Sequence, residues 1–148
     1  MRRTMSFLLI LTQLVALTLL SFIAPALAQM SPFPYITTAN MQTAATATGN
    51  GASLNVSQAS VAVLTTSGTF VGTVTYEATV DNSNWKTLTC YTIGSTTGVT
   101  TATAGAAVRC NVAGWAAVRG RISAYTSGSI TVSGQSTSVP MPFAATTN

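Results

Sequence analysis

The sequence predicts an all-β protein: an antiparallel β-sandwich, Ig-like or jelly-roll-like, carried behind a signal-peptide helix and an extended N-terminal arm. Two observations predict the sandwich. From residue 51 onward apolar residues recur with a period of two, the signature of strands with one buried face. Turn-forming residues punctuate the same stretch at intervals of about ten residues, the spacing of short strands in a sandwich. The expected organisation is a signal peptide over 1–28, the arm over 29–50, the sandwich over 51–136 and a C-terminal tail over 137–148.

The first element is read from three features in order. Arg2 and Arg3 give a basic start, an apolar run from Phe7 to Ile23 follows, and Ala26-Leu27-Ala28 supplies small residues two apart behind Pro25. Basic head, apolar middle and A-x-A end define a secretory signal cut after Ala28. The rival is an uncleaved anchor, since the run approaches the roughly 20 residues that span a bilayer. The cleavage site, with no basic stop beyond it, favours the signal. The working protein is therefore expected outside the cytoplasm, secreted, at a cell surface or virion-associated, and to meet membrane only before cleavage.

Removing the signal leaves Lys86, Arg109, Arg119 and Arg121 against Glu77 and Asp81, a net +2 where the whole chain carries +4. A nucleic-acid binder clusters far more basic residues on one face, so no nucleic-acid partner is expected. A surface this poor in charge gains little solubility from repulsion and suits a protein covered by neighbours. A homo-oligomer, or assembly with other surface proteins, is the expected state.

The arm is Ala/Thr-rich and Pro-containing, with Phe33, Tyr35 and Ile36 as an apolar cluster. It reads either as a loose tail, the usual state of termini, or as an assembly arm packed on a neighbouring subunit. The sandwich opens with Leu54 and Val56, then the run Val61 to Leu64. A long strand from Thr69 to Val80 puts Phe70, Gly72, Val74, Tyr76, Ala78 and Val80 on one face. Asp81 to Asn84 forms a turn, because Asx and Ser side chains bond their own backbone. Trp85 to Tyr91 returns, making 69–91 a hairpin.

Residues 92–105 read as a long loop, with room for one edge strand. Ala106 to Val112 and Trp115 to Tyr125 follow as strands, the latter with Val118, Gly120, Ile122 and Ala124 inward. Ser127-Gly128 is a tight turn, and Ser129 to Gln135 closes the series. Pro140 and Pro142 keep the tail out of any central strand.

Cys90 and Cys110 both lie in the inward phase of their strands. In an exported chain an even pair reads as a disulfide, worth about 3 kcal/mol for a loop of this length. With no His in the chain, neither a zinc site nor a His-based triad can be built, and no metal or cofactor is expected. Glu77 and Asp81 would sit about 13 Å apart on one strand, wider than the carboxylate pairs of glycosidases. No phosphate-binding or calcium-binding loop is present. The chain is expected to have no catalytic residues and no enzymatic activity.

Two sets of residues remain as candidate contacts. Arg119 and Arg121 share a strand face, and Arg109 could join them with Tyr125 on one sheet. Such residues are either a solvated outer face, which an antiparallel sheet normally has, or a patch for an acidic glycan or a neighbouring subunit. Trp85 and Trp115 sit at strand starts, where Trp most often packs in the core or rim. Exposed, they could stack on sugar rings.

Four stretches also occur in a fixed order: Ala47 to Val56 (ATGNGASLNV), Gly68 to Glu77 (GTFVGTVTYE), Val80 to Trp85 (VDNSNW) and Val118 to Val132 (VRGRISAYTSGSITV). Together they resemble a group of small tailed-phage proteins with G-T-F-x-G-T-V, D-G-x-x-W and V-R-x-R-x-x-x-Y-x-S-G patterns. The resemblance covers most of the exported chain. It implies a β-sandwich on a virion or related particle, with no enzymatic residues to carry over. The chain departs from the pattern at Asn82, where Gly is usual and a left-handed turn tolerates Asn. It also departs in its signal peptide and cysteine pair, which point to an exported surface or filament protein, or to a phage protein routed through the envelope. The expected function is a non-enzymatic exported structural subunit; the alternative is a secreted carbohydrate-binding or adhesion module using exposed aromatics.

Overall fold

Period-two alternation becomes strands throughout the computed structural model, which describes residues 35–138. The signal segment, Phe33 and the tail beyond Ser138 lie outside the described residues. The strands are β1 (Ile36–Ala45), β2 (Leu54–Asn55), β3 (Val61–Ser67), β4 (Phe70–Thr79), β5 (Lys86–Thr87), β6 (Cys90–Thr92), β7 (Gly98–Val99), β8 (Thr101–Ala102), β9 (Ala106–Asn111), β10 (Ala117–Gly128) and β11 (Ile130–Thr137). Six form a first sheet in the order β1-β11-β3-β9-β6-β7. A second sheet runs β2-β10-β4-β5, with β8 also pairing β4. Every pair is antiparallel, and the two inner faces enclose one core, so the fold is the predicted sandwich.

The core shows why these residues choose these faces. Leu64, Val108 and Val132 from the first sheet and Val74, Tyr76, Val118 and Ile122 from the second are withdrawn from water. Each large side chain so buried contributes about 1.5–3 kcal/mol. Tyr76 lies opposite Gly120 in the β4–β10 register. A Cβ at Gly120 would come 2.7 Å from Val132 Cγ1, so only glycine lets β11 of the other sheet approach this closely. The Tyr76 hydroxyl, deep in the core, meets Thr66 Oγ1 at 3.3 Å, which satisfies an otherwise costly buried polar group.

Four elements differ from the sequence reading, each for a local reason. Ile36–Ala45, placed in the arm, is a ten-residue edge strand paired with β11. Met41 anchors it in the core at 3% exposure. Residues 69–91 do not form one hairpin: β5 pairs with β4 for two residues, and β6 belongs to the first sheet. The chain crosses because Leu88 and Cys90 are both buried and Cys90 must meet Cys110. Val80, assigned inward, is exposed, since β4 has already ended at Thr79. Ser127-Gly128, expected as a tight turn, is the end of β10, and the chain passes from there to β11 in the other sheet. Gly128, at φ 93°, makes the switch, and a Cβ there would collide with Thr69 backbone.

A bulge accounts for another difference. The β10–β4 register slips between Ile122 and Ala124, and one extra residue reverses every side chain beyond it. Ala124, expected inward, is exposed, and Tyr125 packs against the core. The loop 92–105 carries two short strands, β7 and β8, one in each sheet.

The cysteine pair is joined. Cys90 and Cys110 are directly opposite on β6 and β9, with Cα atoms 4.3 Å apart and both residues fully buried. The bond staples two neighbouring strands of the first sheet.

Candidate functional site

The outer face of the second sheet carries a charge cluster built by register alone. Glu77 of β4 pairs with Arg119 of β10, and Thr75 pairs with Arg121. Two arginines two residues apart on one strand thus straddle a carboxylate on the next. Arg119 Nε and Nη2 both reach Glu77 Oε2, at 2.8 and 2.7 Å, while Arg121 Nε donates to Oε1 at 2.7 Å. Arg119 also lies over the Trp85 ring, 4.0 Å from its centroid, a cation–π contact. The Glu77 side chain is 10% exposed, Arg119 13% and Arg121 35%. Burial pushes the Glu77 carboxyl up, but hydrogen bonds and charge from Arg121 and Arg119 outweigh it and hold it below the ordinary carboxylate value.

The other carboxylate serves its own turn. Asp81 Oδ1 accepts from Ser83 N–H at 2.9 Å, Asn84 N–H at 2.7 Å and the Thr79 hydroxyl at 2.9 Å. Its Oδ2 accepts from the Asn84 side-chain amide at 2.6 Å. The Asn84 bonds, backbone first, and those from Ser83 and Thr79 hold the carboxyl well below its usual range. Asn82 sits left-handed at φ 59°, as expected for Asn in a glycine position. A general acid or base needs a proton that can be exchanged with a substrate. Both carboxylates are instead occupied as anions by fixed internal donors.

The remaining candidates are placed as follows. Arg119 and Arg121 share a face, as expected. Arg109 does not join them: it lies on β9 of the first sheet, between Val63 and Tyr91 in register. Tyr125 is turned toward the core by the bulge, and its hydroxyl donates to the Gly128 carbonyl at 2.8 Å. Trp85 and Trp115 are both half-buried; one face of Trp85 is covered by Arg119, and Trp115 packs against the core. Tyr35 and Ile36 are exposed where β1 begins. The Glu77 clamp was missed by sequence reasoning. Its signal was present, because Glu77 and the two arginines all fall in the outward phase of strong strands.

Each sheet carries a shallow groove. One, of about 450 Å³, runs along β1, β11 and β3 and is lined by Thr38, Asn40, Val63, Thr65, Ser133 and Gln135, with no charged side chain. The other, of about 330 Å³, lies beside β10 and is lined by Thr48, Asn50, Arg121 and Ser123. Among the described residues no three His, Cys, Asp or Glu side chains come together as a metal site. None of the described elements is a helix long and apolar enough to cross a membrane.

The fold is a disulfide-stapled two-sheet sandwich, and phage-derived proteins are among the solved structures that share it. The SPBc2 prophage-derived protein YomS superposes with a TM-score of 0.65 at 19% identity, over 71% of this chain and 95% of that one. The PBSX exported protein XepA superposes with a TM-score of 0.66 at 16% identity, over 70% of this chain. This chain matches only 38% of the length of XepA. At these identities the likeness is one of fold. No family model matches the sequence, and no curated protein matches it significantly.

Proposed function

We propose that this chain is a non-enzymatic structural subunit, exported and assembled on a phage-type particle or at a cell surface. The observation that carries the reading is the sandwich shared with a prophage-derived protein over 95% of that protein's length. Three features support it. The buried disulfide suits an oxidising compartment, as does the signal read at residues 1–28. Glu77 and Asp81 are committed to internal bonds. The first sheet presents a neutral outer groove suited to covering by a neighbour.

Fractionation of producing cells and their particles, followed by imaging with an antibody to the chain, tests the reading. The protein is expected on particles or at the envelope with Cys90 and Cys110 oxidised. Recovery as a free, reduced cytoplasmic protein would overturn it.

A second reading, a secreted module for acidic glycans, rests on Arg121. Its Nε is held by Glu77, which orients the guanidinium at the rim of the groove lined by Thr48, Asn50 and Ser123. A glycan array separates the two. Binding to uronic or sialic acids that is lost in Arg121→Gln would favour the module.

A further inference from the structure

We propose that two copies of this chain join edge to edge through the first half of β1, antiparallel about a twofold axis at Thr38, so that their first sheets become one. The proposal rests on the structural-subunit reading and names the surface that reading requires.

The four sheet edges are unequal. Three are formed by two-residue strands: β7, β2, and β5 with β8 beside it on β4. Short edges, and a Lys such as Lys86 on β5, are the usual means of blocking unwanted pairing. The fourth edge, β1, has ten residues, ITTANMQTAA, with no charge and no proline. Its second half is closed by the protein itself. The register with β11 slips twice beyond Asn40, Ala44 is left-handed at φ 46°, and the Met41 carbonyl accepts from Ala52 N–H at 2.8 Å. Gln42 turns inward to donate to the Gly49 and Gly120 carbonyls. These devices leave Ile36 to Asn40 as the open stretch.

The hydrogen-bond phase of that stretch follows from one contact. Ser138 N–H donates to the Tyr35 carbonyl at 3.1 Å, and the register from Ile36↔Thr137 to Asn40↔Ser133 is unbroken. Bonded and non-bonded pairs alternate in an antiparallel ladder. Thr37 and Ala39 therefore bond β11, and the backbones of Ile36, Thr38 and Asn40 point away from it. All three are exposed, Ile36 at 54%. Among the described residues no strand pairs with this side.

A second copy fits the open stretch. With the twofold at Thr38, Ile36 faces Asn40 of the second copy and Thr38 faces itself, giving about six backbone hydrogen bonds and a Thr–Thr cross-strand contact. A twofold axis brings each side chain near its own copy, so any charge here would repel. There is none on β1 or β11. The neutral grooves containing Thr38 and Asn40 would meet across the axis. An interface this small forms at high local concentration, as on a particle or envelope, rather than in dilute solution.

The test uses the chain from Gln29 onward, exported into an oxidising compartment. Residues facing each other in a bonded antiparallel pair lie about 5.5 Å apart at Cα, within disulfide reach. Thr38→Cys is therefore expected to cross-link to itself and run as a reducible dimer. Thr65→Cys, exposed on the same outer face two strands away, is the control. At least tenfold more dimer from Thr38→Cys is expected; equal yields would overturn the proposal. Thr38→Pro, which removes an outward N–H without touching the β11 ladder, is expected to retain its melting transition and lose light-scattering dimers at high concentration. Retained dimers would overturn the proposal. Monomeric Thr38→Cys in a protein still found on particles would defeat the edge pairing and leave the structural reading intact. A cross-linked dimer in a protein never found on particles or envelope would do the reverse.

Discussion

The two sheets present opposite kinds of outer face. The second sheet turns its charge inward on itself: Glu77 is clamped by Arg119 and Arg121, and Arg119 is backed by Trp85. The first sheet is stapled by a buried disulfide, and the groove along its β1 side is lined without a charged residue. Among the described residues its long edge is open over five residues. The difference separates what stabilises the domain from what is left for a neighbour. Polar groups already paired at short distance offer a partner little, while unpaired backbone at an edge offers a full set of donors and acceptors.

The largest expected effect on stability falls in the first sheet. Replacing both Cys90 and Cys110 by Ala opens a loop spanning 20 positions and is expected to cost about 3 kcal/mol, read as a lower denaturant midpoint. Breaking the second sheet's clamp should come next. Glu77→Ala leaves Arg119 mostly buried without its carboxylate and is expected to cost about 2 kcal/mol, less than breaking a fully buried pair because Arg121 is partly solvated. A loss under about 0.5 kcal/mol would mean the cluster is only surface decoration.

The clamp also sets a pH dependence. The folded carboxyl of Glu77 lies below its ordinary value, so its contribution is present above the unfolded range, near pH 4, and is lost as pH falls through the folded value. Glu77→Gln is expected to flatten the acid limb of a stability–pH curve, leaving the part due to Asp81. Where the sheets meet, Gly120→Ala drives a methyl toward Val132 and is expected to cost about 1–3 kcal/mol by overpacking. The smallest effect should come from Tyr76→Phe, which removes the single contact to Thr66 and is expected to cost about 1 kcal/mol.

Where alternation was strong, sequence and structure agree. Val74, Tyr76 and Ala78 are inward, the Asp81 turn is built by its own side chain, and Cys90 and Cys110 share the buried phase. The failures have physical causes that leave no compositional trace. A bulge at Ser123 inserts one residue and reverses Ala124 and Tyr125. A sheet crossing at Leu88 looks the same as a hairpin return, since both alternate. β1 escaped notice because Ile36 and Met41 fall in opposite phases and only Met41 reaches the core, so ITTANMQTAA shows no stripe. The arginines were separated by topology: Arg109 shares their outward phase but sits in the other sheet, and no local pattern says which sheet a strand joins.

Amide hydrogen exchange tests the contrast between the two faces most directly, comparing the protein dilute with the protein at high concentration or on its particle. Added protection is expected at Ile36, Thr38 and Asn40, with none over Glu77, Arg119 and Arg121. Protection that instead appears over the arginine face, or leaves β1 unchanged, would contradict the assignment of the first sheet as the surface of assembly.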